Sequence, residues 1–135
     1  MIKTLQGTYA GIELRDLPAA QAFSGSSRIA TVPAWRIPQS TEHLSEVPDF
    51  LREALQRDFN LTVRHLWELG GSYFTSPGVT PELVHPYVAE VEVTMAEQSF
   101  LHFVEIGELI ANIDLLRDAQ LLISTYRVRH ALGEP

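Results

Sequence analysis

The chain has 135 residues, of which 45% are apolar and 20% are charged, a composition that suits one domain with its own core. Its formal net charge is −7 and it carries one lysine, which argues against nucleic-acid binding because such binding depends on clustered Lys and Arg. The absence of cysteine excludes disulfides and thiolate metal sites. No apolar run of about 18 residues is present and the N-terminus lacks the apolar stretch of a secretory signal, so we predict a cytoplasmic protein with no membrane partner.

The first third of the chain is predicted to form two strands. Residues 8–14 alternate between apolar and polar side chains, which indicates a strand, and residues 24–27 are typical of a turn. Residues 28–37 form a second strand-like stretch that Pro33 interrupts. Because proline cannot donate a backbone hydrogen bond to a neighbouring strand, Pro33 indicates a sheet edge or a bulge.

A helix is predicted over residues 45–59. Ser45 is suited to cap its N-terminus, and Asn60 is typical of a left-handed residue at a helix C-terminus. The helix has one apolar stripe at helical spacing, formed by Phe50, Leu51, Ala54, Leu55 and Phe59. We therefore expect this stripe to pack against a core.

The rest of the chain is predicted to form four strands and then two helices. The strands are expected at 61–67, 72–75, 85–94 and 100–106, and the helices at 107–112 and 115–132. One face of the third of these strands would carry Tyr87, Ala89, Val91 and Val93, and successive turns of the last helix would carry Leu115, Ala119, Leu122 and Tyr126. This order predicts an α+β fold for one domain over residues 1–135, a mixed α/β/α sandwich with helices flanking a mixed sheet.

A specific turn precedes the strand at 85–94, in the segment GGSYFTSPGVTPELVHPYVAEV. Pro77 and Gly78 suit the central positions of a type II turn, in which Gly78 would take a positive φ. Thr80 would cap a brief helical turn that follows. These residues predict a rigid connection on purely structural grounds.

The same segment and the C-terminal stretch FVEIGELIANIDLLRDAQLLISTY carry a resemblance to a known family. They combine a Ser-Pro-Gly turn, an acid, a strand ending in Ala-Glu, a short helix with Glu-Leu and a long helix after Asp118. Together they resemble the second half of a Nudix hydrolase and are most similar to the ADP-ribose pyrophosphatase branch. The resemblance implies a Nudix-like fold and metal-dependent hydrolysis of a phosphoanhydride.

The signature of that family is degenerate in this chain. It ends in R-E-U-x-E-E-x-G-U, where U is apolar, and its glutamates meet on one helix to bind Mg²⁺ or Mn²⁺. The corresponding residues 35–61, WRIPQSTEHLSEVPDFLREALQRDFNL, keep the Trp-x-x-Pro start and the helix. Arg57 falls on a glutamate position in either alignment with the signature, and a cation there would repel the metal.

The resemblance leaves four acids as candidates for metal binding or catalysis. Asp49, Glu53 and Asp58 would hold a metal weakly, and Glu53 and Asp58 are also the catalytic candidates of the helix. Glu97 lies in a loop where related enzymes can place a general base. The alternative is structural: Glu53 and Arg57, four residues apart, would form a helix-surface pair worth roughly 0.2–0.5 kcal/mol, and Glu97 would be a solvated loop residue.

By the same resemblance, Ser76, Gly78 and Glu82 would bind substrate at the nucleotide end of the cleft. The alternative is that the turn has no role beyond connecting two strands.

Other residue types that often carry function are interpreted as structural. Trp35 and Trp67 are expected in the core rather than as ligand platforms, and His85 and His102 are expected on adjacent strands, where they pack or form hydrogen bonds. The basic group near the C-terminus would complement a helix dipole and consists of Arg127, Arg129 and His130.

Three functions remain open. The leading one is a Nudix-like domain that binds a nucleotide-sugar-like small molecule or a protein partner, with weak or lost hydrolysis. The second is an active pyrophosphatase in which Mg²⁺ or Mn²⁺ is bound by rearranged acids, namely Asp49, Glu53, Asp58 and Glu97. The third is a structural dimerisation domain, because related pyrophosphatases are commonly homodimers and residues 115–132 offer an apolar face.

Overall fold

The computed structural model describes residues 2–3, 9–16, 28–79, 82–91 and 101–131. Within them, helices and mostly antiparallel strands combine in an α+β fold, as predicted. The strands are β1 (Ile2–Lys3), β2 (Tyr9–Asp16), β3 (Arg28–Thr31), β4 (Val63–Glu68), β5 (Tyr73–Phe74), β6 (Leu83–Val84), β7 (Tyr87–Val91) and β8 (His102–Glu105). The helices are α1 (Val47–Phe59), α2 (Ile106–Ala111) and α3 (Ala119–Ala131), and single 3-10 turns cover Leu44–Glu46 and Ile113–Leu115.

The described strands form two three-stranded sheets and one hairpin. The first sheet has the order β1-β7-β4 and is mixed, because β1 runs parallel to β7 whereas β4 runs antiparallel to it. The second sheet, β3-β2-β8, is antiparallel. Among the described residues, strands β5 and β6 pair with each other and with no other strand, which makes a small hairpin between β4 and β7.

Two apolar clusters form the core. One joins the second sheet to α2 and α3 and contains Ala10, Ile12, Ala30, Val32, Leu69, Ile106, Leu109, Leu116, Leu121 and Val128. The other joins α1 to the first sheet and contains Leu55, Phe59, Leu61, Ala89, Val91 and Leu101. The stripe predicted on α1 thus supplies part of the second cluster, and Ala89 and Val91, two residues of the face predicted on β7, are buried.

Strand β3 lies at the edge of its sheet, as Pro33 predicted, but it is shorter than expected. Pairing with β2 ends at Thr31, two residues before the proline, and residues 32–38 run on without regular pairing. The predicted strand over 28–37 is therefore wrong beyond Thr31, because a residue without an N–H cannot extend the ladder.

Helix α1 ends as predicted and begins differently. Asn60 follows its last turn in the left-handed conformation, with φ 54°, and its N–H donates to the carbonyl of Gln56. Ser45 does not cap the helix, because residues 44–46 form a 3-10 turn that runs directly into α1. The carboxylate of Glu46 instead accepts hydrogen bonds from the backbone N–H groups of Glu42 and His43, both at 2.9 Å.

Helix α3 starts four residues later than predicted. Asp118 Oδ2 accepts the N–H of Leu121 at 2.9 Å, which satisfies one of the free donors at the helix start. The buried residues of this helix are Leu121, Ser124, Thr125 and Val128, whereas Leu115, Leu122 and Tyr126 are exposed. Ala119 is exposed as well. Ala119, Leu122 and Tyr126, predicted on successive turns, therefore lie on the exposed side of the helix.

Other local predictions can be compared with the described residues. The turn at Ser76–Val79 forms, with the Val79 N–H donating to the Ser76 carbonyl at 2.9 Å, but the φ of Gly78 is not positive, so the turn is not type II.

His85 precedes β7 and His102 lies in β8 of the other sheet, so they are not on adjacent strands. Residues 24–27, Thr80, Val93 and Glu97 lie outside the described residues. No helix in the described part of the chain is both long and apolar enough to cross a bilayer.

Candidate functional site

A cavity of about 810 Å³ lies between α1, the segment that follows β3, the start of β7 and the start of α3. Its volume is within the range of about 300–1,000 Å³ that small-molecule sites occupy. Helix α1 contributes only apolar side chains to it, those of Val47, Phe50, Leu51 and Leu55. We call it the main cavity.

Three aromatic side chains from three different segments line the main cavity. Trp35 follows β3, Tyr73 begins β5 and Tyr87 begins β7. Burial raises the pKa of Tyr73, the positive charge of Arg127 opposes that rise, and the negative charge of Asp118 adds to it. Burial and then the negative charge of Glu68 raise the pKa of Tyr87. Both phenols are therefore neutral hydrogen-bonding groups at neutral pH.

Charged side chains line the main cavity as well. Arg15 and Arg36 are its cations, and Arg15 is also ion-paired to Glu13 at 3.3 Å on the protein surface. Glu82 and Asp118 are its carboxylates. The cavity therefore offers aromatic rings together with both signs of charge, which suits a ligand that has a ring at one part and an anionic group at another.

Thr31 contributes a hydroxyl group with no partner. Among the described residues that are not exposed, its Oγ1 is a buried side-chain oxygen that makes no hydrogen bond, and Thr31 lines the main cavity at the end of β3. Buried polar atoms are nearly always satisfied in native proteins, so an orphan at a cavity surface indicates a place for an external polar group.

The carboxylate of Asp58, near the end of α1, forms hydrogen bonds with two other side chains. Its carboxylate accepts hydrogen bonds from the indole Nε1 of Trp35 at 2.8 Å and from Nε and Nη2 of Arg57 at 2.8 and 3.1 Å. These hydrogen bonds, that from Arg57 first and that from Trp35 next, lower the pKa of Asp58 to about 2. A second cavity, of about 450 Å³, lies beside this group and shares Arg15, Ala34 and Trp35 with the main cavity.

The other acids of α1 do not converge on the main cavity. Asp49 and Glu53 are exposed and are not among the described residues that line it. The expected pair between Glu53 and Arg57 is replaced by the ion pair between Arg57 and Asp58, and Glu53 acts on Arg57 only through its charge. Across the described ranges, no three His, Asp or Glu side chains are grouped so that they could hold a metal ion.

The predicted substrate-binding residues separate into two groups. Glu82 lines the main cavity and accepts a hydrogen bond from Thr75 Oγ1 at 3.4 Å. Ser76 and Gly78 are exposed at the tip of the β5–β6 hairpin and do not line it. Trp67, expected in the core, is 47% exposed on β4, where its ring packs against His65 with centroids 5.6 Å apart.

Arg127 contacts Tyr73, a residue of the main cavity, without being among the described residues that line it, and it was not singled out as a functional residue from the sequence. Its guanidinium donates to the carbonyls of Leu69, at 3.0 Å, and Gly71, and it lies 5.1 Å from the centre of the Tyr73 ring. Gly70 has φ 74°, and a Cβ added there would lie 3.1 Å from Nη1 of Arg127. Gly70 was the available signal, because a positive φ and a close approach to a backbone commonly need glycine.

The comparisons with known proteins add no assignment to this geometry. No protein-family model matches the chain. No curated protein matches it either.

Proposed function

We propose that the chain is a Nudix-like domain whose main cavity binds a nucleotide-like ligand, such as ADP-ribose or another nucleoside diphosphate sugar, and that it hydrolyses this ligand slowly or not at all. The resemblance of residues 70–91 and of the C-terminal stretch supplies the ligand class. The cavity supplies the space, the aromatic surfaces and the arginines that such a ligand would use.

One observation carries the loss of hydrolysis. The helix that corresponds to the signature lines the main cavity with apolar side chains, while Asp49 and Glu53 are exposed outside it. Asp58 is held by Arg57 and Trp35. Phosphoanhydride hydrolysis by this family requires carboxylates that place divalent metal ions against the phosphates. An apolar helix face is compatible with binding a ligand but offers no oxygen ligands to Mg²⁺ or Mn²⁺.

Titration calorimetry and a hydrolysis assay test the two halves of this proposal separately. We expect saturable binding of ADP-ribose without added metal, and no release of AMP above the uncatalysed rate when Mg²⁺ or Mn²⁺ is added. Rapid AMP release that Glu53→Gln abolishes would contradict the loss of hydrolysis. Absence of binding to ADP-ribose and to other nucleoside diphosphate sugars would contradict the ligand assignment.

Two substitutions locate the ligand. Tyr87→Ala removes an aromatic ring from the main cavity and should weaken binding by about tenfold or more, since a base–aromatic stack contributes roughly 1–3 kcal/mol. Tyr126→Ala is the matched control, because Tyr126 is 45% exposed on α3 and does not line the cavity. Equal loss in both variants would show that the ligand binds elsewhere.

Thr31→Val tests the orphan hydroxyl. This change keeps the shape of the side chain and removes an oxygen that has no partner among the described residues. The free energy of unfolding should stay the same or rise, while affinity for ADP-ribose should fall if a ligand group uses that oxygen. Thermal unfolding measured with and without ADP-ribose gives both quantities on the same sample.

A further inference from the structure

Trp35 lies in a part of the chain that has no regular backbone pairing. It belongs to residues 32–38, between the end of β3 and the 3-10 turn at Leu44–Glu46. Its indole nevertheless lines both the main cavity and the second cavity. A large flat side chain in an irregular segment needs contacts of its own to keep one orientation, since its backbone supplies few constraints.

Two residues of the last turn of α1 supply those contacts. Phe59 packs edge-on to the Trp35 ring, with centroids 5.9 Å apart and planes at 68°. Asp58 Oδ2 accepts the indole N–H at 2.8 Å, a charge-assisted hydrogen bond of good length. Phe59 is a buried member of the apolar cluster between α1 and the first sheet, so this helix end is a rigid support.

Asp58 is in turn oriented by Arg57. The guanidinium contacts both carboxylate oxygens, through Nε to Oδ1 and through Nη2 to Oδ2. This two-point contact aligns the plane of the carboxylate and leaves Oδ2 directed at Trp35. It also opposes metal binding at Asp58, because a dication would have to displace a guanidinium that lies within 3.1 Å.

We infer that Asp58 is a positioning residue that fixes the Trp35 indole as the partition between the two cavities, so that a ring-containing ligand meets a pre-oriented aromatic surface. This inference rests on the proposed function for its ligand, but the orientation of Trp35 is a property of the ligand-free protein. Asp58 then has a different use from the carboxylates of the family signature: it binds a side chain of the cavity rather than a metal.

Fluorescence tests the positioning without any ligand. The chain has two tryptophans, so Trp67→Phe leaves Trp35 as the single reporter. In that background, Asp58→Ala should lower the steady-state anisotropy of Trp35 and shift its emission, because the indole loses its acceptor. Asp58→Asn should restore most of the wild-type signal, since an amide oxygen still accepts the N–H. Asp114→Ala is the control: Asp114 is exposed and lines neither cavity.

The ligand readout separates this inference from the proposed function. ADP-ribose affinity should fall about fivefold to tenfold in Asp58→Ala and much less in Asp58→Asn, as expected for one lost hydrogen bond of a pre-oriented ring. Combining Asp58→Ala with Trp35→Phe should add little further loss, because both changes break the same contact. Full additivity would contradict a shared role.

Each remaining outcome decides one statement. Unchanged Trp35 anisotropy in Asp58→Ala overturns the positioning role even if ADP-ribose binds normally to the wild-type protein. Altered anisotropy in Asp58→Ala, restored by Asp58→Asn, in a protein that binds none of the nucleotides supports the positioning and overturns the proposed ligand. Equal affinity of wild-type protein and Asp58→Ala, with altered anisotropy, removes the link between the oriented indole and binding and overturns the inference.

Discussion

The carboxylate of Asp58 stays ionised in acid far below the usual range because Arg57 and Trp35 both donate to it. Its pKa of about 2 compares with about 4 for an unperturbed aspartate. A carboxyl with a lowered folded-state pKa stabilises the protein above its unfolded-state pKa, and this contribution is lost as the pH falls through the folded-state value. The acid stability of the domain is therefore linked to the orientation of one indole.

This linkage gives a pH-dependent prediction. The difference in the free energy of unfolding between the wild-type protein and Asp58→Asn should be constant above about pH 4 and should shrink as the pH falls towards about 2. Urea unfolding at stepped pH measures it. Asp114→Asn should show no such narrowing, and a difference that does not depend on pH would contradict the assigned pKa.

Arg127 gives a second prediction for a single residue. Its charge lowers a Tyr73 pKa that burial raises, so Arg127→Gln should raise that pKa further. Absorbance of the tyrosinate during alkaline titration reports the change, and Tyr73→Phe identifies which part of the curve belongs to Tyr73. Arg129→Gln is the matched control in the same helix. A Tyr73 pKa that is unchanged in Arg127→Gln would show that the guanidinium does not contact this ring in solution.

Predictions from the sequence succeeded where chemistry is local to one or two residues. Pro33 identified an edge strand and Asn60 identified the left-handed end of α1, because each depends on the residue's own backbone preference. The contact between Trp35 and Asp58 was not predictable in this way. It joins residues 23 positions apart, and either side chain alone has many alternative partners.

At the scale of elements, α3 places two polar residues on its buried face. Ser124 and Thr125 are buried, and Thr125 Oγ1 donates to the Leu121 carbonyl at 2.7 Å within the helix. A hydroxyl that is satisfied by its own helix can occupy a core position at little cost. The sequence placed Leu122 and Tyr126 on successive turns without assigning the buried face, and the protein buries Leu121 and Val128 while those two are exposed.

Neighbouring leucines in α3 test that assignment. Leu121 is 0% exposed and Leu122 is 38% exposed. Leu121→Ala should lower the free energy of unfolding by about 2–5 kcal/mol, because it leaves a cavity in the core, whereas Leu122→Ala should stay within about 0.5 kcal/mol or slightly above it. Denaturant unfolding of both variants shows which of the two leucines faces the core. Equal losses, or a larger loss for Leu122→Ala, would contradict the burial of Leu121.

At the scale of the whole molecule, the main cavity is assembled from segments that are distant in the chain. The segment after β3, helix α1, the β5–β6 hairpin, β7 and the start of α3 each contribute. The α+β fold and most elements could be predicted because each rests on a local pattern. The residues that line the cavity could not be predicted, because they depend on which faces the described sheets and helices present to one another. Glu82 was the only predicted substrate-binding residue found there.

The expected homodimer stays a prediction and belongs to the same scale. Helix α3 exposes two large apolar or aromatic side chains, those of Leu122 and Tyr126. If they pair two copies, light scattering should give about twice the 15.1 kDa of one chain, and Tyr126→Asp should return the mass to that of a monomer. Phe74→Asp, at an exposed position of the hairpin, is the control. A monomeric wild-type protein at high concentration would contradict the dimer.

The attachment of Arg127 to the carbonyls of Leu69 and Gly71 has a consequence for biosynthesis. Arg127 follows Leu69 by 58 positions in the chain, so the ribosome synthesises Leu69 first and Arg127 later. A nascent chain that already carries the central strands of both three-stranded sheets still lacks the Arg127 side chain that contacts Tyr73, and it also lacks Asp118 and Ser124, which line the main cavity. The lining of the main cavity is therefore complete only after α3 has been synthesised and has packed.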